Sequence, residues 1–454
     1  MKTAFQLLFI TLACVLALNL SSCRKSDAHP DYPAGTQENI NSWILDSMKV
    51  YYYWNTTLPA RPNVSQDPSA FFKTIKYSGD RFSALVNPDI ASSYPASLVH
   101  TLGFDLITLQ GADGQVQTMV SLVVPGSGAA AKGLLRGDVL QSINGVIPDA
   151  SNMAELTAAM VSAASAQLKV AGKTVAVSIN RLSNAEDPLY TYKVFQSGRK
   201  TYAYLFLNSF EPAAISRLIE AFALFKQQQA AELIIDMRYN PGGSVPVAAS
   251  LAAMVASTAT EGNTFVQYRG NKNAGTRQSS FAAELNQLPS GTRKTFSQLA
   301  GYRLGLNRVY MLTGNHTASA AELLINALKP YITVIQLGKQ TLGKDMASFV
   351  IKDYRTPQVV PKWEIYPMIY KLYNASGSGD YSGGLTPDIY ADELSLLPLV
   401  PFGDVRDPLI QRCINGNAII TARTRATSAA APSVLFDTRD QIDGQNHSVY
   451  IRRP

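Results

Sequence analysis

Four short apolar runs, at 202–207, 233–237, 309–312 and 332–337, do most to limit what this chain can fold into. Each is too short for a helix, and each is mostly apolar, interrupted only by Asp236, Thr333 and Gln336, as a strand covered on both faces tends to be. Between and after them lie helical patterns at 212–228, 245–257 and 319–329. Strands alternating with helices imply a layered α/β domain, expected to span 195–400. The stretch 270–300 is polar and rich in Asn, Ser, Gly and Gln, so it is expected to be an inserted loop or lid.

Two smaller units precede this domain. Residues 97–183 carry strand-like runs at 118–124, 139–143 and 174–179. Asn144-Gly145 is a hairpin signal, because both positions accept positive φ. A helix is expected at 152–164, opened by an Asn152/Glu155 capping pair. The unit reads as a compact α+β module. Residues 36–95 read as a small helical domain. Ile40, Trp43, Ile44 and Tyr51 recur at helical spacing, with Met48 and Tyr52 beside them, and a second helix is expected at 69–75. The cluster Tyr51-Tyr52-Tyr53-Trp54 is expected to be core or to pack between units rather than to form a binding surface. The chain is thus multidomain, α/β plus α+β. Its last segment, 401–454, carries no assignable role.

The N-terminus has Lys2 followed by an almost wholly apolar stretch at 4–20, short of the ~20 residues of a membrane span. Leu20-Ser21-Ser22-Cys23 resembles the lipobox of bacterial lipoproteins. It implies a signal peptide at 1–22, a lipidated Cys23, a short polar tether at 23–35, and residence in the cell envelope. Cys14 would leave with the signal and Cys23 would carry lipid, so Cys413 would have no partner for an intrachain disulfide. The four histidines, at 29, 100, 316 and 446, are scattered, and neither CxxC nor HExxH occurs, so no metal and no cofactor is expected. The net charge of +7 comes from 40 basic and 33 acidic residues without like-charge blocks, which argues against a nucleic-acid partner. The oligomeric state has no signature in the sequence.

Three segments of the α/β domain can carry chemistry. Ile235-Asp236-Met237-Arg238-Tyr239-Asn240-Pro241-Gly242-Gly243 is a strand running into a turn whose glycines leave backbone N–H groups unobstructed. It fits a plain strand-to-helix turn, and it fits a cradle for a developing oxyanion. Leu312-Thr313-Gly314-Asn315-His316-Thr317-Ala318-Ser319-Ala320-Ala321-Glu322 ends a strand and begins a helix. Ser319 and Glu322 satisfy a capping box with no chemistry required. Ser319 is equally placed as a nucleophile among small neighbours, with the helix dipole and the Ala320 N–H at hand. Gly338-Lys339-Gln340-Thr341-Leu342-Gly343-Lys344 follows another strand and precedes an apolar strand expected at 347–351. Lys344 is either a solvated loop lysine or, if buried and neutral near pH 7, a base for the serine.

Together these segments resemble the tail-specific, or C-terminal-processing, serine peptidases. Their Asp-x-Arg-x-Asn-x-Gly-Gly turn, Thr-Ala-Ser-Ala-x-Glu helix start and downstream Gly-Lys all occur here in order. The Ser-to-Lys gap, 344 minus 319, is 25 residues, as in that family. The resemblance implies a layered (crotonase/ClpP-like) peptidase domain acting on protein substrates. It implies Ser319 as nucleophile, Lys344 as general base, Glu322 as orienting partner, and Ala320 with the Gly242/Gly243 turn as oxyanion donors. Leu385-Thr386-Pro387-Asp388 matches a further family element. Asp345 stands where the family usually has Gly; if its side chain meets Lys344, it raises the lysine pKa and moves activity to more alkaline pH.

Leu102-Gly103-Phe104 resembles the carboxylate-binding loop of a PDZ domain, and 125–145 resembles its later turns, which implies capture of substrate C-termini by residues 97–183. Gly126-Ser127-Gly128-Ala129-Ala130-Ala131 also matches a dinucleotide fingerprint, but Gly133 and Gly137 break the helix that motif requires. His316 could serve Ser319 as base, though no acidic partner for it is evident in sequence. The rival to a peptidase is a non-catalytic, PDZ-type peptide-binding lipoprotein.

Overall fold

The computed structural model describes residues 31–90, 97–173, 177–180, 187–355, 363–415 and 431–441. The expected signal segment and Cys23 lie outside them, as does the start of the strand expected at 174–179.

The chain opens with helix α1 (Gln37–Tyr51), capped by the Thr36 side chain on the Asn39 N–H. Helix α2 (Pro68–Ile75) is capped by Asp67 and has proline in its first turn, where no amide is needed. Strand β1 (Ala84–Val86) follows. These elements do not form a core of their own. Ile40, Ile44, Met48, Phe71 and Phe72 join the main core of the α/β domain. In the aromatic cluster Tyr52 is fully buried and stacks edge-on against Trp54.

The second unit comprises helix α3 (Leu98–Leu102), strands β2 (Phe104–Gln110) and β3 (Val116–Val123), a single turn of helix α4 (Gly128–Ala131), β4 (Val139–Ile143), helix α5 (Met153–Ala163), β5 (Ser165–Val170) and β6 (Val177–Asn180). Asn144 and Gly145 have φ of 50° and 85°, the mirror-image turn expected from the dipeptide. The Asn152/Glu155 capping pair does not form. Asn152 instead accepts the Asp149 N–H and donates to the Ile147 carbonyl, closing the preceding loop on itself.

The third unit begins with β7 (Leu189–Ser197) and β8 (Lys200–Leu207), then helix α6 (Ala214–Gln227), β9 (Glu232–Asp236) and helix α7 (Val245–Val255). Next come β10 (Thr264–Arg269), β11 (Thr276–Ser280) and helices α8 (Phe281–Leu285) and α9 (Phe296–Ala300). Strand β12 (Arg308–Thr313), helix α10 (Ala320–Leu328) and β13 (Thr333–Gly338) complete the alternation. Short strands β14 (Met346–Ala347), β15 (Ile351–Lys352), β16 (Glu364–Tyr366), β17 (Tyr370–Tyr373) and β18 (Ile389–Tyr390) follow, then helix α11 (Pro408–Asn415) and β19 (Ser433–Asp437).

The central sheet has the order β18-β13-β12-β9-β8-β7, parallel except where β7 pairs with β8. Along β8 alternate residues face opposite ways. Ala203, Leu205 and Leu207 enter the core with α6, α7 and α10, while Tyr202, Tyr204 and Phe206 face α11 and Val99, Leu122 and Val124 of the second unit. The C-terminal ends of β9, β12 and β13 therefore lie side by side, which is where open parallel sheets hold their sites.

Two further expectations fail. The segment 270–300 is not an inserted lid: β11 pairs with β10, and Phe281, Leu285, Leu288, Phe296 and Leu299 plug into the main core. Its apolar residues are few but occur at the positions that face α7, so average polarity hid them. The single strand expected at 347–351 is two short strands in different sheets, because β14 joins β17 and β15 joins β16.

Candidate active site

The three segments singled out in sequence meet at the sheet's C-terminal edge and are stitched by backbone bonds. The Ala318 N–H donates to the Asn240 carbonyl at 3.0 Å, and the Leu342 N–H to the Thr317 carbonyl at 2.9 Å. Thr317 Oγ1 donates to the Met237 carbonyl at 2.7 Å and accepts the Gly314 N–H at 2.9 Å.

Ser319 sits at the mouth of α10 with φ 61° and ψ −117°. An ordinary N-cap is extended, and a non-glycine residue at positive φ is strained. A sharp strand-to-helix turn of this sort presents a nucleophile. Only one half of the capping box is present: Glu322 accepts the Ser319 N–H at 2.9 Å, while Ser319 Oγ, fully buried, makes no hydrogen bond among the described residues.

Gly242 packs directly beneath the serine. A Cβ there would lie 2.6 Å from Ser319 Cβ and 2.9 Å from both the Ala318 carbonyl oxygen and the Ala320 nitrogen, so only glycine fits. Its N–H donates to Asn240 Oδ1 at 2.7 Å. Among the described residues the Ala320 and Gly243 N–H groups donate to nothing.

Glu322 is the bracket of the site. Oε2 accepts the N–H groups of Ser319 and of Lys344, the latter at 2.7 Å; Oε1 accepts the Gly343 N–H at 2.8 Å and the Thr341 hydroxyl. Burial pushes its carboxyl pKa up, against the pull of these four donors. The Leu385–Asp388 element supports the lysine loop from behind: Thr341 Oγ1 accepts the Leu385 N–H at 2.7 Å, and Asp388 accepts the Gln336 N–H at 2.8 Å.

Lys344 is fully buried, with its amine 5.3 Å from the centre of the Phe82 ring. Burial lowers its pKa to about 7, and the charges of Asp80 and Glu322 oppose that fall. Since Ser319 Oγ has no hydrogen-bond partner, the amine and the hydroxyl are not in bonding contact here. Asp345 does not meet Lys344. It pairs with Lys371 at 2.8 Å, and the charges that act on Lys344 are those of Asp80 and Glu322, so the condition for an alkaline displacement is not met.

His316 lies 3.4 Å from Asp437 and 3.6 Å from Asp440, acidic neighbours that come from the far end of the chain and that sequence did not suggest. Leu102, Gly103 and Phe104 form the turn from α3 into β2. Leu102 and Phe104 are buried, and the Gly103 N–H closes α3 on the Val99 carbonyl.

Sequence reading passed over several supporting residues. Asp80 accepts the Tyr52 hydroxyl at 2.8 Å and the N–H groups of Phe82 and Ser83, and so places a carboxylate near Lys344 from a segment more than 250 residues away. Nothing local in its sequence signals this. Arg238 pairs with Asp236, Glu393 and Asp407. Arg136 of the second unit reaches Tyr239 Oη at 2.9 Å and Glu393 at 2.7 Å. The one cue in sequence is a charged residue directly after the apolar pair Leu134-Leu135.

Comparisons with known proteins agree with this layout. Residues 201–391 match the family model for peptidase family S41, residues 39–84 the peptidase S41 N-terminal domain, and residues 95–179 the PDZ domain. A solved S41-family structure from Bacteroides fragilis superposes with a TM-score of 0.66 at 26% identity, covering 87% of this chain and 100% of that one. The carboxyl-terminal-processing peptidase 1, chloroplastic, of Arabidopsis thaliana is 23% identical over 279 residues, 60% of this chain and 53% of that one. The carboxyl-terminal-processing protease of Picosynechococcus is 24% identical over 233 residues, 50% of each chain. The chain thus spans about half the length of these curated relatives. On the joint match of its three units, the chain belongs to peptidase family S41.

Proposed function

We propose that the protein is a serine endopeptidase of the bacterial cell envelope that cleaves proteins near their C-termini, with Ser319 and Lys344 as the reacting pair. The observation that carries this reading is Lys344: a fully buried amine brought to a pKa of about 7, on a loop that Glu322 ties to the Ser319 loop. A base near neutrality is what a weak hydroxyl nucleophile needs.

In the reaction, the neutral amine comes within hydrogen-bond reach of the hydroxyl. Ser319 Oγ attacks the peptide carbonyl carbon while its proton passes to Lys344 Nζ. The Ala320 N–H and the Gly242/Gly243 turn face the oxyanion. The leaving amine takes the proton from Lys344 as the C–N bond breaks. Water, deprotonated by Lys344, then hydrolyses the acyl-enzyme and restores Ser319. The PDZ unit presents the substrate tail as an added strand. The Leu20–Cys23 segment supports anchoring through a lipidated Cys23.

Ser319→Ala and Lys344→Ala are each expected to abolish cleavage of an unfolded test protein, with the fold retained; undiminished cleavage by either variant would overturn the assignment. Cys23→Ala is expected to lose lipid labelling and membrane association. A second reading, a peptide-binding lipoprotein with a dormant site, draws on the buried Ser319 and its unbonded Oγ. Labelling of Ser319 by a serine-directed acylating probe excludes it.

A further inference from the structure

Strand β19 lies antiparallel on the free edge of β2, pairing Ser433 with Gln110, Val434 with Leu109, Phe436 with Thr108 and Asp437 with Ile107. The other edge of β2 is held by β3. An extended segment added to a sheet edge is how PDZ units take peptides. The direction also fits: β19 runs from the Gln110 end toward the Leu102–Phe104 turn. There Thr438 Oγ1 donates to Asp105 at 2.8 Å and accepts the Leu106 N–H at 3.0 Å. Phe436 packs against the apolar core of the PDZ unit.

The residues that follow reach the catalytic loops. The Arg439 guanidinium lies 3.6 Å from the centre of the Tyr239 ring, in the turn that leads to Gly242, and pairs with Asp437 at 2.6 Å. Asp437 also lies 3.4 Å from His316, three residues before Ser319. One segment of eight residues therefore occupies the ligand edge of the PDZ unit and touches both loops of the active site.

We infer that residues 433–440 are a tethered ligand of the chain's own PDZ unit, and that a substrate tail enters by displacing them. The strand is built to leave. Val434 and Leu435 are 45% and 38% exposed, so Phe436 is its main apolar anchor. The substrate segment that replaces it is an extended peptide with a large apolar side chain at the Phe436 position. Being tethered, β19 competes at an effective concentration of the order of mM, so untethered peptides bind weakly until it is released. The consequence for cleavage rests on the peptidase reading; the consequence for binding does not.

The test uses the full chain carrying Ser319→Ala and a fluorescent octapeptide with the sequence of residues 433–440, followed by anisotropy. Adding Phe436→Asp is expected to tighten peptide binding at least tenfold. Equal affinity in the two folded proteins overturns the inference. If the Asp variant does not fold, the pair Gln110→Cys with Ser433→Cys, opposite one another on β2 and β19, replaces it. The reduced protein is then expected to bind millimolar peptide and the oxidised protein none; equal binding in both states overturns the inference. With Ser319 restored, Phe436→Asp is expected to raise cleavage of an unfolded protein about tenfold. Absent cleavage with the predicted peptide binding removes the peptidase reading and leaves the tethered ligand standing.

Discussion

The backbone N–H of Lys344 donates to Glu322 Oε2 at 2.7 Å, and the same oxygen accepts the backbone N–H of Ser319 at 2.9 Å. Nucleophile and base are thus registered to one another through the main chain, independently of whether their side chains touch. An amide cannot serve both oxygens' partners, because it has one acceptor oxygen and would set its NH2 against the donors at the other, the Gly343 N–H and the Thr341 hydroxyl. Glu322→Gln is expected to lower kcat by roughly 10²-fold, the scale set by a misplacement of about 1 Å. KM is expected to stay within about threefold, because the bracket positions the reacting groups and does not bind substrate. A change confined to KM would refute the positioning role.

Lys344 makes activity and stability follow pH together. The neutral amine accumulates as pH rises through about 7, so kcat/KM is expected to climb on an acid limb with an apparent pKa near 7. In the unfolded chain the lysine titrates near 10.5. Between about 7 and 10.5 the unfolded state holds the extra proton, so stability increases with pH across that window. Below it both states are protonated and the burial penalty acts in full. Lys344→Met is therefore expected to melt higher than wild type at pH 6, with the gap closing by pH 10. A gap that does not vary with pH would mean that the amine is solvated.

Asp80 contributes to the same titration from the N-terminal unit. Its carboxylate raises the Lys344 pKa against desolvation. Asp80→Asn removes that charge, so the acid limb of the pH–rate profile is expected to move to lower pH. The variant keeps an oxygen for the N–H groups of Phe82 and Ser83, which share Oδ1, but sets its NH2 where the Tyr52 hydroxyl donates, at a cost of about 1–3 kcal/mol in stability. Movement of the limb to higher pH would contradict the electrostatic assignment.

Gly242 gives a steric test of the oxyanion turn. Its φ is 108°, and an added Cβ would overlap Ser319 Cβ at 2.6 Å. Gly242→Ala is expected to abolish cleavage while leaving peptide binding by the PDZ unit within about twofold, measured in one preparation. Retained activity would place the oxyanion donors elsewhere.

Much of this arrangement is legible in the chain itself because the site is local to three strand ends. Ser319, Glu322 and the Gly242/Gly243 turn are short motifs whose spacing carries their geometry, and parallel strands bring their ends together. What is not legible is long-range. Asp80 reaches Lys344 only because the N-terminal helices share the core of the α/β domain, and no periodicity encodes a contact between residues so far apart. The pairing of β19 with β2 is likewise non-local, and a five-residue edge strand with two exposed apolar residues has no distinctive pattern. Whether Asp345 meets Lys344 is not legible either, because the partner that holds its carboxylate, Lys371 at 2.8 Å, lies 26 residues downstream.

The segment 270–300 shows how composition misleads when anchors are sparse. Phe281 is fully buried, with ring centroids 5.2 Å from Phe265, 5.5 Å from Phe296 and 5.6 Å from Tyr331. Truncating such a ring removes both its transfer free energy and the contacts around it. Phe281→Ala is accordingly expected to cost about 3–5 kcal/mol. A core residue acts on the folded fraction, so kcat/KM measured well below the melting transition is expected to stay within about twofold of wild type. A lid residue would behave in the opposite way, changing kcat and KM together with little effect on melting. That second pattern would restore the lid reading and remove α8 from the core.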